Sequence, residues 1–83
     1  MSRGIKPSPL REMSEILRAQ TAAFQKAYEL RAEAYRVLAV AEKDTLAAQG
    51  YRLLAQAEQA MADVQGEVLG AMAVSQASGG FAS

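Results

Sequence analysis

The chain contains no cysteine and no histidine. It therefore has no disulfide bond, no thiol nucleophile, no imidazole acid–base catalyst and no histidine or thiolate ligand for zinc or haem. The sequence also has no Gly-rich phosphate loop, no nucleophile elbow and no metal-binding motif. We therefore expect that the protein is not an enzyme, uses no cofactor or metal ion and acts on no small-molecule substrate.

Long apolar runs are absent as well. No stretch approaches the roughly 18 to 20 apolar residues that span a bilayer, and the amino terminus lacks the apolar segment of a secretory signal. We expect a soluble protein that begins at its own Met1, and contact with a membrane stays an open question.

Bulky side chains are scarce. Hydrophobic residues make up 51% of the 83 residues, but there is no tryptophan, with only two phenylalanines and three tyrosines, and alanine is the commonest residue. A chain of this size buries only about 60% of its unfolded surface. A large private core is not expected, and the composition favours close-packed helices ordered by oligomeric packing.

Both prolines lie within the first nine residues, and no alternating β pattern follows them. Ser8 and Pro9 are a good N-cap and first helical residue, and the Ser-Gly-Gly segment that begins at Ser78 is typical of a helix end. We predict an all-α chain with an extended basic arm at 1–8, a helical region at 9–77 and a Gly/Ser tail at 78–83.

Two positions in the middle of the helical region are weak points. Asp44 is a candidate N-cap for a second helix, and Gly50 costs about 1 kcal/mol in a helix interior relative to alanine. A turn near 43–50 would divide the region into a two-helix hairpin.

The apolar spacing argues for the other possibility. From Met13 to Met72 it follows alternating steps of four and seven residues, also across the suspected turn. Eleven residues in three turns give about 3.67 residues per turn, close to the natural α-helix. This spacing favours one long helix over about 9–77, and the hairpin remains the alternative.

The large apolar and aromatic side chains of the helical region are the candidate contacts with other chains. We predict an interface formed by Met13, Leu17, Phe24, Tyr28, Tyr35, Leu38, Leu46, Leu54, Met61, Val64, Val68 and Met72.

A short repeat lies within this region: YRVLAVAE at 35–42 recurs sixteen residues later as YRLLAQAE at 51–58. On one continuous helix a shift of sixteen residues is a rotation of about 160°, so the two copies would face nearly opposite sides. We interpret the repeat as packing surface presented to neighbours on both sides.

The formal net charge is zero, but all nine Lys and Arg residues lie at or before Arg52. With six acids in the same segment, residues 1–52 carry +3, and residues 53–83, with three acids and no base, carry −3. Arg3, Lys6 and Arg11 are candidate contacts for phosphates or an acidic partner. Glu29 and Glu33 are read as surface charges rather than as a metal site.

One segment resembles a known family. Residues 47–83 contain Gln-Gly at 49–50 and 65–66, then Gly70, and finally Ala-Ser-Gly-Gly at 77–80. This pattern is similar to the carboxy-terminal region of Ala- and Gln-rich helical internal virion proteins of tailed bacteriophages, the ejection type.

The resemblance implies a structural virion protein that forms a helical ring or tube with copies of itself and with the portal or tail machinery. Its partners would be other virion proteins, with non-specific contact to packaged DNA, and it would be released when the genome is ejected. Because the chain stops soon after the Gly pair, the resemblance favours a small accessory subunit over a membrane-penetrating one.

Two other protein classes remain open. The first is a small helical subunit of a bacterial secretion or flagellar apparatus, of the needle or inner-rod type. The second is a coiled-coil adaptor in the cytoplasm that dimerises and binds its partner with its tails.

Overall fold

The computed structural model describes residues 9–77, which form an antiparallel helical hairpin. Helix α1 spans Pro9–Ala41 and helix α2 spans Thr45–Ala77, and the described residues contain no strand. Each helix has 33 residues and is about 50 Å long at a rise of 1.5 Å per residue. Within this part of the chain neither helix is long and apolar enough to cross a membrane. The all-α prediction is confirmed; the arm at 1–8 and the tail at 78–83 lie outside the described residues.

Of the two predicted architectures, the two-helix hairpin with a turn near 43–50 is confirmed. The continuous helix, which the apolar spacing favoured, is wrong, because the helix is interrupted between Glu42 and Asp44. Oδ1 of Asp44 accepts hydrogen bonds from the amides of Leu46 and Ala47, at 2.9 and 3.1 Å. The amide of Asp44 in turn donates to Oε1 of Glu42 at 3.1 Å. Asp44 is therefore the N-cap of α2 and satisfies amides that the start of a helix leaves unpaired.

Gly50 does not take part in the turn. It lies within α2, in open space, with no atom of a neighbouring side chain within 4 Å of the position its Cβ would occupy. Of the segment 43–50 that was predicted to hold the turn, only the first two residues belong to it. The N-cap, and not the glycine, therefore marks the change of direction.

Alanines form the seam between the two helices. The buried apolar residues of the described chain are all alanines, with Ala32 and Ala62 at 0% exposure. The full set is Ala32, Ala39, Ala48, Ala55 and Ala62. Within each helix they are seven residues apart, so they occupy one and the same heptad position, which we number a. Their small side chains favour a short distance between the helix axes.

These alanines fix the heptad numbering of both helices. In α1 position a is occupied by residues 18, 25, 32 and 39, and position d by residues 21, 28, 35 and 42. In α2 position a is occupied by residues 48, 55, 62 and 69, and position d by residues 51, 58, 65 and 72. Apart from the alanines, every one of these residues is half-buried. The a and d positions together are the seam of the hairpin.

The repeat is folded onto itself across the turn. Tyr35 and Tyr51, the first residues of its two copies, stack with ring centroids 6.3 Å apart and ring planes at 23°. The prediction that the copies face opposite sides is therefore wrong, because it assumed an unbroken helix. The hairpin instead brings both tyrosines into one seam.

Candidate interaction surface

Most of the large apolar side chains of the hairpin lie outside the seam. Among the side chains described, at residues 9–75, no large one is fully buried, and sixteen large apolar residues are exposed. They are Leu10, Met13, Ile16, Leu17, Phe24, Leu30, Val37, Leu38, Val40, Leu46, Leu53, Leu54, Met61, Val64, Val68 and Val74. The only side chains that the described hairpin buries fully are therefore small ones, and most of its large aliphatic side chains are exposed.

The exposed residues are confined to one side of each helix. Around a heptad helix the positions g, c and f follow one another on one flank of the seam, and e and b lie on the other flank. Fifteen of the sixteen exposed residues occupy g, c or f, and Val40, at b, is the exception. No exposed large apolar residue of the described helices occupies position e. Each helix thus has an apolar flank and a polar flank.

The hairpin places the two apolar flanks side by side. In an antiparallel pair the g column of one helix lies next to the g column of the other, and the two e columns meet on the opposite side. We call the exposed large apolar residues at g and c the apolar face. It consists of Leu10, Met13, Leu17, Phe24, Leu38, Leu54, Met61, Val64 and Val68.

The contacts on the other side agree with this arrangement. Nη2 of Arg36 donates to Oε1 of Gln59 at 2.8 Å, which joins the e columns of the two helices. Nη1 of Arg36 also pairs with Oε1 of Glu33 at 2.9 Å, and Nε2 of Gln59 donates to Oδ1 of Asp63 at 3.1 Å. Arg52 lines an open groove next to these residues. This side is the polar face.

The polar face carries more acids than bases. Its charged residues at b and e are Glu12, Glu15, Lys26, Glu29, Glu33, Arg36, Arg52 and Asp63. Five acids against three bases give a formal charge of −2. The two broad sides of the hairpin therefore differ in both polarity and charge.

The g and c columns of the described helices contain one charged residue, Arg31, and it is paired within the chain. Nη2 and Nε of Arg31 lie 3.0 and 3.1 Å from Oε1 of Glu58, whose side chain is only 18% exposed. The guanidinium also lies 4.9 Å from the centroid of the Tyr28 ring. The apolar face consequently presents no unpaired charge from residues 9–77.

The twelve residues predicted to contact other chains fall into two groups. Nine are exposed: Met13, Leu17, Phe24, Leu38, Leu46, Leu54, Met61, Val64 and Val68. The other three, Tyr28, Tyr35 and Met72, are half-buried at d positions of the seam. For all twelve, contact with neighbouring chains stays a prediction. Sequence reasoning missed the sidedness, and the seven-residue spacing of the alanines was the signal that could have revealed it.

The candidate phosphate contacts are not brought together by the described structure. Arg3 and Lys6 lie outside residues 9–77, and Arg11 lies in the first turn of α1. Glu29 and Glu33 both lie on the polar face, where Glu33 pairs with Arg36. Within the described range no group of three or more metal-ligating side chains could hold a metal ion. The apolar face is therefore the candidate functional surface.

The sequence matches no family model, and no curated protein or solved structure is similar to it at a significant level.

Proposed function

We propose that this chain is a structural subunit of a tailed-bacteriophage virion. In this proposal it forms a helical ring or tube with copies of itself and with the portal or tail machinery, and leaves that assembly when the genome is ejected. Its role is to fill space and to connect neighbouring subunits, without catalysis.

The main support for the proposal is that the hairpin buries small apolar residues and exposes large ones, the reverse of the usual arrangement in a globular protein. Five alanines are buried in the seam, whereas sixteen larger apolar side chains of the described residues are exposed. Contiguous apolar patches of this kind on soluble proteins are sites of protein–protein or membrane contact. An isolated two-helix hairpin gains little from burying alanines, and neighbours that cover the larger side chains would add to its stability.

The virion setting is supported by the resemblance of residues 47–83 to internal virion proteins. Residues 47–77 of this segment form nearly all of α2, and the Gln-Gly steps at 49–50 and 65–66 both lie within that helix. Gly66 allows a close approach there, since a Cβ at this position would be 2.8 Å from Nε2 of Gln25 in α1. The Gln-Gly steps are therefore compatible with a packed helix.

The hairpin itself favours a second candidate, a small subunit of a secretion or flagellar apparatus of the needle or inner-rod type. Such subunits are short helical proteins that assemble into tubes from many copies of one chain. The two candidates differ in what they require for assembly. A phage subunit depends on a portal or tail partner, whereas a needle subunit builds a tube from this chain alone.

The deciding experiment uses particles and the purified chain in parallel. Mass spectrometry of purified, DNA-filled particles from the source strain should detect this chain in a reproducible copy number. Light scattering and electron microscopy of the purified chain should show no extended tube without its partners. Absence of the chain from filled particles would contradict the virion proposal, and long tubes formed by the chain alone would favour the secretion subunit.

A further inference from the structure

We propose that the apolar face binds the apolar face of a second copy of this chain, so that two hairpins form a four-helix bundle. This inference rests on the proposed assembly function and identifies the surface and the partner through which assembly begins. The dimer would be the building block from which the larger ring or tube is made.

The size of the face fits a stable dimer. Each 33-residue helix is about 50 Å long, and two packed helices are about 18 Å wide, given an axis separation of about 8 Å and a helix diameter of about 10 Å. The side of the hairpin that carries the face thus has an outline of about 900 Å². A standard stable interface buries roughly 800 Å² of accessible surface per partner, so this side is large enough to hold one.

The charge distribution favours a second copy over a charged protein. Arg31 is the one charged residue at g and c in the described helices, and Glu58 already pairs with it. The face therefore has no charge with which to select an acidic or a basic partner. An uncharged surface of Leu, Met, Val and Phe is complementary to another surface of the same kind, and a second copy supplies one of identical length and width.

The opposite side of the hairpin disfavours a lipid surface as the occupant. Amphipathic helices that lie on membranes carry Lys and Arg on their polar side, where these residues meet anionic headgroups. Here the polar face carries a formal charge of −2. Tryptophan and tyrosine prefer such interfaces. The chain has no tryptophan, and its three tyrosines, Tyr28, Tyr35 and Tyr51, all lie half-buried at d positions of the seam.

The large apolar residues of the two helices are distributed along the hairpin as a two-fold symmetric contact requires. Phe24 and Met61 both occupy g positions, near the middle of α1 and of α2, and both are about half exposed. Leu38 and Leu54 continue the face toward the turn, and Leu17 and Val68 continue it toward the open end, so the face runs nearly the whole length of the hairpin. In a face-to-face dimer these central residues become the best-buried part of the interface.

The test compares charges introduced on the two sides of the hairpin. Met61→Glu and Leu17→Glu each place a carboxylate in the apolar face, one on each helix. Val40→Glu makes the same kind of change at an 88% exposed apolar residue on the polar side. Sedimentation equilibrium of the full chain measures self-association, and far-UV circular dichroism verifies that each variant stays helical.

We expect the wild-type chain and Val40→Glu to dimerise with similar dissociation constants. Met61→Glu and Leu17→Glu should each raise the dissociation constant by at least about 100-fold, because an unpaired carboxylate would have to be buried. Both residues are about half exposed in the single hairpin, so a glutamate at either position can face water there. We therefore expect the variants to lose association and to keep the helix content of a monomeric hairpin. Two variants on different helices guard against a local folding defect in either one.

Other outcomes would overturn the inference. If all three variants associate like the wild type, the apolar face is not the contact, although the chain still assembles through another surface. If the wild-type chain is monomeric and floats with phosphatidylcholine vesicles, and Met61→Glu does not, the occupant of the face is lipid. Detection of the chain in filled particles is independent of these results, so a monomeric chain that is present in virions overturns the dimer alone.

Discussion

Tyr35 and Tyr51 stack across the seam of the hairpin, with ring centroids 6.3 Å apart. They begin the two copies of the YR-x-L-A-x-A-E repeat, and each occupies a d position of its helix. The remaining residues of the repeat follow the same columns: Arg at e, Leu at g, Ala at a and Glu at d. The repeat therefore places the same residue types at equivalent positions of both helices. Each copy supplies a small residue to the seam, an apolar residue to the apolar face and a base to the polar face.

The tyrosine pair gives a direct test of the hairpin in solution. In a double-mutant cycle with Tyr35→Leu and Tyr51→Leu, we expect a coupling free energy of about 0.5 to 1.5 kcal/mol, as found for aromatic pairs in contact. The measurement is the free energy of unfolding in urea for the wild type, both single variants and the double variant. On a continuous helix the two rings would be about 24 Å apart, so additive effects of the two substitutions would contradict the hairpin.

The N-cap of α2 should also contribute measurably. Asp44→Ala removes the acceptor for the amides of Leu46 and Ala47, and we expect a loss of about 1 kcal/mol in the free energy of unfolding. Asp44→Asn is the matched control, because its side-chain oxygen can accept the same hydrogen bonds and should retain most of the stability. Equal unfolding midpoints for Asp44→Ala and the wild type would show that the cap is not needed.

Local signals in the sequence predicted part of the fold. Asp44 was predicted as the candidate N-cap of a second helix, and it caps α2 in the structure. An N-cap depends on one side chain that acts on the amides next to it. This feature could be predicted because its physical cause is local.

The choice between one helix and two depended on a less obvious signal. The eleven-residue apolar spacing suits an unbroken helix, but the alanines that form the seam follow a different register. They are spaced by seven on each side of the turn and by nine between Ala39 and Ala48, a phase shift that marks where the chain reverses. The alanine-rich composition was taken to favour close-packed helices in general, and the seven-residue spacing of these five alanines was missed.

The candidate surface was predicted in composition but not in arrangement. Phe24 and Met61 were expected at an interface and are exposed, but Tyr28 and Tyr35 were assigned to the same interface and lie in the seam. A residue on an amphipathic helix can face the partner helix or the flank beside it, and these positions differ by a rotation of only about 50°. Only the position of the seam separates them.

Gly50 and Gly70 of α2 should limit the stability of the hairpin without serving its packing. A Cβ at Gly50 or at Gly70 would meet no atom within 4 Å. We therefore expect Gly50→Ala and Gly70→Ala each to raise the free energy of unfolding by about 0.5 to 1 kcal/mol, since alanine restricts the unfolded chain and suits a helix better. Thermal unfolding followed by circular dichroism measures the change.

Gly66 is the matched comparison for these two glycines. Its Cβ would lie 2.8 Å from Nε2 of Gln25, so the flexible end of that side chain must move before alanine can be accepted. We expect Gly66→Ala to raise the stability less than the other two substitutions. A Gly66→Ala variant that is stabilised as much as Gly50→Ala would show that the contact with Gln25 does not restrict this position.

The alanine seam should not tolerate a larger side chain. Ala32 is fully buried against α2, and leucine at this position would push the helices apart. We expect Ala32→Leu to lower the free energy of unfolding by about 1 to 3 kcal/mol, the usual cost of overpacking. Ala22→Leu is the control, since Ala22 lies at an exposed e position of the same helix and leucine is nearly as good a helix former as alanine. Urea unfolding of both variants separates the two effects. If Ala32→Leu instead stabilises the chain, the seam has room for larger residues, and the close approach of α1 and α2 is not what selects alanine there.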